Sequence, residues 1–240
     1  MSSPAIEQLD GEAKRSYVRE MFSAIAPRYD FLNHALTLNI DRGWRRRAVH
    51  QLDWRRAPDG VYLDLCAGTL DLAIQLERQR GFRGTVIGAD FAIPMLELGK
   101  AKSSRVRPVG ADALGLPFPD KAFDGCMVGF GVRNLADLDG GLREIARVLK
   151  PGGRVVILDL SLPRRWPIRP LYLCYARYVL PLIGRLVSKH TSAYEYLPAS
   201  VRRFSSPAEL VRRLEQAGFR DARGNDLTLG IAMLVTGVRA

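Results

Sequence analysis

From Val61 onward the chain alternates short apolar or β-branched runs, at 61–65, 85–89, 106–110, 124–130 and 153–160, with segments of helical period at 70–80, 92–102 and 137–149. This alternation predicts βαβ units and a parallel sheet, whose strands are buried on both faces and therefore read as continuous apolar runs. The first 55 residues carry no such runs and read as helices: Glu12–Ala24, a segment after Asp30, and Asp41–Leu52 with Asp41 as its N-cap. Beyond the Pro-rich stretch 163–170 the pattern predicts a helical segment at about 170–188 and a helix near 207–217 stopped by Gly218. Two last strands follow, at about 219–224 and 229–238.

Composition agrees with a globular protein: of 240 residues, 47% are hydrophobic and 25% charged, which excludes disordered and collagen-like classes. Three widely spaced cysteines, Cys66, Cys126 and Cys174, form no Cys-x-x-Cys pair and point to a reducing compartment. Glu7, Asp10 and Glu12 precede any apolar stretch, so neither a signal peptide nor a transit peptide is expected. The apolar region 166–188 is interrupted by Arg169, Arg177 and Arg185, so no membrane-crossing span is expected.

The net charge of +11 is unevenly placed. Residues 164–213 hold ten basic side chains against Glu195 and Glu209, a local +8. Such a patch attracts anionic lipid or nucleic acid, or is a solvated face. Trp166, Tyr172, Tyr175 and Tyr178 lie among its arginines, a mixture that suits a membrane interface, a dimer surface or a core helix with long arginine stems.

Candidate chemistry gathers at the predicted strand ends. The first strand runs into Asp64-Leu65-Cys66-Ala67-Gly68-Thr69-Leu70-Asp71 and a helix, a strand–turn–helix that aims backbone N–H groups at a ligand. Only Gly68 of a G-x-G-x-x-G pattern is present, which disfavours a dinucleotide-dependent hydride-transfer enzyme. Asp90 ends the second strand, where a carboxylate can accept both ribose hydroxyls, and Asp112 follows the third. Three histidines, His34, His50 and His190, have no ligand-like spacing to acids, so no metal site is expected; His50 is read as structural and His34 is left open.

The order Asp64…Gly68-Thr69, Asp90, Asp112, Leu116-Pro117-Phe118-Pro119-Asp120 and Arg147-Val148-Leu149-Lys150-Pro151-Gly152-Gly153 resembles a class I S-adenosylmethionine-dependent methyltransferase. Tyr29-Asp30-Phe31-Leu32-Asn33 with Trp44, Phe130-Gly131-Val132-Arg133-Asn134, and Tyr194-Glu195-Tyr196-Leu197-Pro198-x-Ser200 narrow the resemblance to the ubiquinone/menaquinone biosynthesis C-methyltransferase family. It implies a Rossmann-like α/β sheet, mostly parallel with an antiparallel C-terminal strand. A helical lid at 1–55 and a helical insertion at about 164–205 would be added to the cofactor domain 56–240. The implied cofactor is S-adenosylmethionine, with Gly68 and Thr69 at its methionine part, Asp90 on the ribose and Asp112 with Ala113 at the adenine. Gly129 would face it from a strand edge, Tyr29 would lie over it, and Asp64 belongs to the same set. Ala67 and Leu70 stand where the family has glycine, Gly129 where serine is frequent, and Asp159 where glutamate is usual. Leu70 places a β-carbon where close backbone approach is expected, so it bears on cofactor affinity more than on fold.

The implied reaction is methylation of a ring carbon on a prenylated hydroquinone. Arg133 would stabilise the phenolate or orient a proton-accepting water, the alternative being a surface arginine paired with Asp137 or Asp139. Asn134 would position a ring oxygen or cap the helix at 137, and His190 is the ordinary general-base candidate. The implied partner is the prenylated quinol; peripheral contact of a cytoplasmic protein with an anionic membrane, and a homodimer, are left open, and nucleic acid is disfavoured. Two other readings remain at this stage: a methyltransferase of a soluble phenol or natural product, and a non-catalytic membrane- or nucleic-acid-binding protein on the same fold.

Overall fold

The computed structural model describes residues 11–179 and 192–240. Three helices lead the chain: α1 (Gly11–Ile25), α2 (Tyr29–Leu36) and α3 (Ile40–Gln51). On α1 the buried positions Val18, Met21 and Ile25 recur at helical spacing. The N-cap of α3 is Asn39 in the left-handed region, φ 61°, rather than Asp41. Asp41 lies inside the first turn, fully buried, where it meets Arg45 at i+4 and His34 Nδ1 at 3.0 Å. A capping carboxylate accepts from the backbone N–H groups of the first turn, whereas this one is taken up by the side chains of Thr37, His34 and Arg45. His50, read as structural, is exposed on α3.

The body follows as β1 (Val61–Leu65), α4 (Asp71–Glu77), β2 (Thr85–Asp90), α5 (Ile93–Lys100), β3 (Val106–Gly110), β4 (Phe123–Gly129), α6 (Leu138–Val148) and β5 (Leu149–Leu160). After α7 (Ile168–Cys174) and a π turn at Tyr175–Val179 come α8 (Ser192–Arg203), α9 (Pro207–Gln216), β6 (Phe219–Leu227) and β7 (Ala232–Arg239). The seven strands form one sheet in the order β3-β2-β1-β4-β5-β7-β6, and β7 runs antiparallel to both its neighbours. Central Leu63 pairs with Ile87 on one side and Cys126 on the other. The chain leaves β1 toward β2 on one side and returns to β4 on the other, so a crevice opens at their carboxyl ends.

Local chemistry sets the ends. Asp137 caps α6 by accepting from Gly140 N at 2.9 Å, and Ser206 caps α9 by accepting from Glu209 N at 3.1 Å. Gly218, φ +89°, follows α9, a backbone conformation that favours glycine. Strand β5 begins at Leu149, four residues earlier than the apolar run predicts. Leu149 pairs with Phe123, and the register then shifts across Pro151-Gly152-Gly153 before resuming at Gly125–Arg154. Helix α8 covers α1 through a cluster of Val18, Met21 and Tyr196, which brings the C-terminal half over the N-terminal helices.

Candidate functional site

The turn after β1 carries Cys66, Gly68 and Leu70 at φ 55°, 52° and 66°. Asp90, at the end of β2, braces it: one oxygen accepts from Gly68 N and the other from Ala92 N, each at 2.8 Å. Burial raises the Asp90 pKa against these N–H bonds. A carboxylate has about four acceptor positions, so both oxygens keep capacity for a diol. A cleft opens here and brings together Tyr29, Gly68, Asp90, Asp112, Ala113 and Gly129, with Asn134 at its side. Asp112 accepts from Leu114 N at 2.9 Å and pairs with Arg15 of α1. A diol acceptor on a glycine turn, a second acid and apolar walls fit a nucleoside carrying a cationic group.

Asp64 and Thr69 do not line this cleft. Asp64 turns to α4, accepts from Ala73 N at 2.8 Å, and is pushed up to a pKa of about 7, chiefly by burial. The Thr69 hydroxyl donates to Asp30 on α2, and Lys102 bridges Asp30 to Asp71, the latter at 2.8 Å. Thr69 thereby ties the N-terminal helices to the turn. Leu70 also points away from the cleft: it is fully buried, facing Gly88 of β2 and Gly99 of α5. The expected obstacle to cofactor approach is absent from the cleft wall, because the left-handed backbone swings the side chain into the core.

A second cavity adjoins the cleft, and Phe22, Tyr29 and Phe130 border both. Its walls are largely apolar, including Met21, Ile25, Trp44, Leu160 and Ile231. Arg133 lines it from the short turn Val132–Asn134 after β4. Neither Asp137 nor Asp139 pairs with Arg133. Its side chain is 7% exposed, and Nη1 meets the fully buried Asp159 of β5 at 2.7 Å and the Phe130 carbonyl at 2.5 Å. Burial, the largest single influence, works against the charge, but the Asp159 carboxylate together with Tyr29 and Tyr196 outweighs it and raises the pKa, so Arg133 stays cationic. Asn134 does not cap α6; its Nδ2 donates to the same Phe130 carbonyl at 3.2 Å, and its Oδ1 accepts from Tyr196 Oη at 3.1 Å. Lys14 of α1 holds this turn from above, donating to the Leu135 carbonyl at 2.6 Å.

Among the described residues, two buried donors on this cavity have no geometrically satisfied acceptor: Arg133 Nε and Asn33 Nδ2. Asn33 was missed as a site residue, although it stands four positions after Tyr29 and so shares its helix face. Asp159, the aspartate standing where glutamate is usual, is also the one acid in the apolar run Val155–Leu160, which marks it as a buried charge in need of a partner. Tyr172 and Tyr175, grouped with interfacial anchors by the sequence pattern, line the cavity instead. His34 is engaged with Asp41, and His190 lies outside the described residues.

A sequence profile of the ubiE/COQ5 methyltransferase family matches residues 10–239. Ubiquinone/menaquinone biosynthesis C-methyltransferase UbiE of Geotalea daltonii is 44% identical, with 93% of this chain and 97% of the relative covered. Demethylmenaquinone methyltransferase of Thermus thermophilus is 46% identical over 91% of this chain and 100% of its own. Among solved structures, a SAM-dependent methyltransferase of Thermotoga maritima, described as a possible histamine N-methyltransferase, superposes with a TM-score of 0.66. It is 18% identical, with 92% of this chain and 99% of that one covered, a likeness of fold.

Proposed function

The chain belongs to the ubiE/COQ5 methyltransferase family, and on that premise we propose that it methylates a ring carbon of a prenylated hydroquinone, with S-adenosylmethionine as donor. The observation that carries the substrate half is the pair of buried donors, Arg133 Nε and Asn33 Nδ2, left without an acceptor among the described residues on a largely apolar cavity. A buried donor without an acceptor costs about 1–3 kcal/mol. A ring bearing two oxygens and an apolar tail relieves both and fills the remainder. The position of this cavity beside the acid-bearing cleft supports transfer between the two.

Gly68, Asp90, Asp112, Ala113 and Gly129 would hold the cofactor, with Tyr29 lying over it at the border of the two cavities. When bound, S-adenosylmethionine supplies an electrophilic methyl group. The protein has to align the ring carbon, worth about 7–11 kcal/mol in a well-oriented site, and increase its electron density. A phenol with pKa near 10 costs roughly 4 kcal/mol to ionise at neutral pH. Arg133 offsets part of this as a buried cation beside the ring oxygen, held in one orientation by Asp159. Asn134, tied to Tyr196 and Phe130, fixes the turn that carries it. A guanidinium does not accept protons, so the acceptor is a separate base, for which His190 stays the candidate. The N-terminal helices act as a lid, and the substrate's tail brings the protein to a membrane surface. No helix among the described residues is long and apolar enough to cross one.

The test is single-turnover transfer from methyl-labelled S-adenosylmethionine to prenylated naphthohydroquinone and benzohydroquinone, with mass spectrometry locating the label. Carbon-bound label on either ring is the expected result. Transfer only to a water-soluble phenol, or to neither quinol, would overturn the substrate assignment.

A further inference from the structure

The walls of the apolar cavity reach the surface along three segments, and each exposes a large apolar side chain there. Leu36 and Thr37 line the cavity, and Leu38, next in the chain, is 81% exposed. Tyr172 and Tyr175 line it, while Leu171 and Tyr178 beside them are 64% and 65% exposed. Ile231 lines it, and Leu229, two residues before, is 62% exposed. Hydrogen bonds join the segments: Tyr175 Oη donates to the Leu36 carbonyl at 2.9 Å, and Trp44 Nε1 donates to Thr228 Oγ1 at 2.8 Å.

Two of these leucines are anomalous in backbone as well as in exposure. Leu38 has φ 50° and Leu229 φ 60°, a region that crowds a β-carbon. Such strain persists when something other than local folding repays it, and an exposed leucine adds little to the core. Exposed arginines flank the exposed apolar side chains in the chain: Arg42 follows Leu38 by four residues, Arg169 precedes Leu171 by two, and Arg177 precedes Tyr178. Arg177 lies over the Tyr178 ring, 5.8 Å from its centroid, which leaves its charge at the surface. Exposed apolar side chains flanked by arginines match a bilayer surface with anionic headgroups, where the apolar tips enter the acyl boundary and the guanidinium groups meet phosphate.

The geometry points to this rim, with Leu38 and Leu229 as its tips, as the face on which the protein rests on an anionic bilayer. The cavity mouth then opens toward lipid, and the prenyl tail stays in hydrocarbon while the ring reaches Arg133. The inference rests on the prenylated-substrate reading. It differs from docking by the whole basic segment 164–213, because it places α2, α3 and the β6–β7 turn at the membrane.

The test compares wild type, Leu38→Glu/Leu229→Glu, and Arg164→Gln/Arg165→Gln as full-length proteins. Each is cosedimented with phosphatidylcholine vesicles with and without phosphatidylglycerol, and assayed on a short-chain soluble quinol and on a long-chain quinol in vesicles. The leucine variant should lose at least tenfold in binding to anionic vesicles and in turnover of the vesicle-borne quinol, yet keep wild-type turnover of the soluble one. Wild-type binding by the leucine variant, or loss confined to the arginine variant, would overturn the proposal. So would failure of wild type to bind anionic vesicles, or a wild-type dimer in sedimentation velocity that the leucine variant abolishes. A wild type that binds vesicles through the rim but methylates neither quinol would instead count against the substrate reading.

Discussion

Leu70 fills the space that Gly88 leaves: a β-carbon on Gly88 would collide with Leu70 Cδ2, and one on Gly99 would come to 2.6 Å from Leu70 Cγ. The leucine therefore occupies a groove between β2 and α5 that two glycines hold open, and it does so from a left-handed backbone, φ 66°.

That interlock predicts coupled stability. Gly88→Ala should destabilise by about 1–3 kcal/mol through overpacking, and Leu70→Ala by about 2–5 kcal/mol through the cavity it leaves. The double variant should lose clearly less than the sum, because the smaller residue 70 makes room for the new methyl. Chemical denaturation checks the cycle, and additive losses would contradict it. Calorimetry with S-adenosylmethionine should show affinity within a few-fold of wild type for Leu70→Ala, since this side chain faces the core.

The Arg133–Asp159 pair predicts a split between chemistry and cofactor binding. Asp159→Asn leaves a buried guanidinium without its counter-charge and should cost about 3–5 kcal/mol in stability. It should also lower kcat on the quinol by tenfold or more while the cofactor Kd changes little. Replacing both residues, Arg133→Met with Asp159→Leu, should recover much of the stability and none of the activity. An active double variant would remove Arg133 from the reaction.

Asn33→Leu tests recognition of the second ring oxygen. With a hydroquinone, loss of a buried hydrogen bond should lower kcat/KM by about 10–100-fold, corresponding to roughly 1–3 kcal/mol. With an analogue lacking that oxygen, the same substitution should have little effect. Equal losses on both substrates would assign Asn33 a purely structural role.

Asp64 sets a pH dependence of stability. Its pKa is raised from 3.8 to about 7 in the folded protein, mainly by burial. Between these values the native state holds a proton that the unfolded chain has released, so stability falls as pH rises through that window and the deficit is complete above it. Asp64→Asn keeps an acceptor for Ala73 N and removes the ionisation. Its stability should be flatter between pH 4 and 7, and higher than wild type at pH 8 by roughly 4 kcal/mol at most. Urea denaturation across that range is the measurement, and parallel profiles for the two proteins would refute it.

What the sequence determined by itself was whatever depends on near neighbours. Buried parallel strands need apolar runs such as Val61–Leu65, crossover helices need their period, and the turn beneath Asp90 needs Gly68; all three are legible without a structure. The family motifs likewise marked Tyr29, Asp90, Arg133 and Asn134 as candidates. Tertiary structure alone decided which partners those groups meet. Arg133 passes over Asp137 and Asp139, close in sequence, for Asp159 on the adjacent strand, because β4 and β5 pair side by side and leave a buried carboxylate facing the turn. Asp41 becomes a buried hub rather than a cap once α3 packs against the body. Leu70, which a motif comparison places against the cofactor, is turned into the core by a single positive φ. Spacing along a chain encodes periodicity and turns. The counter-charge of a buried ion and the direction of a β-carbon depend on which distant strands and helices come to lie against it.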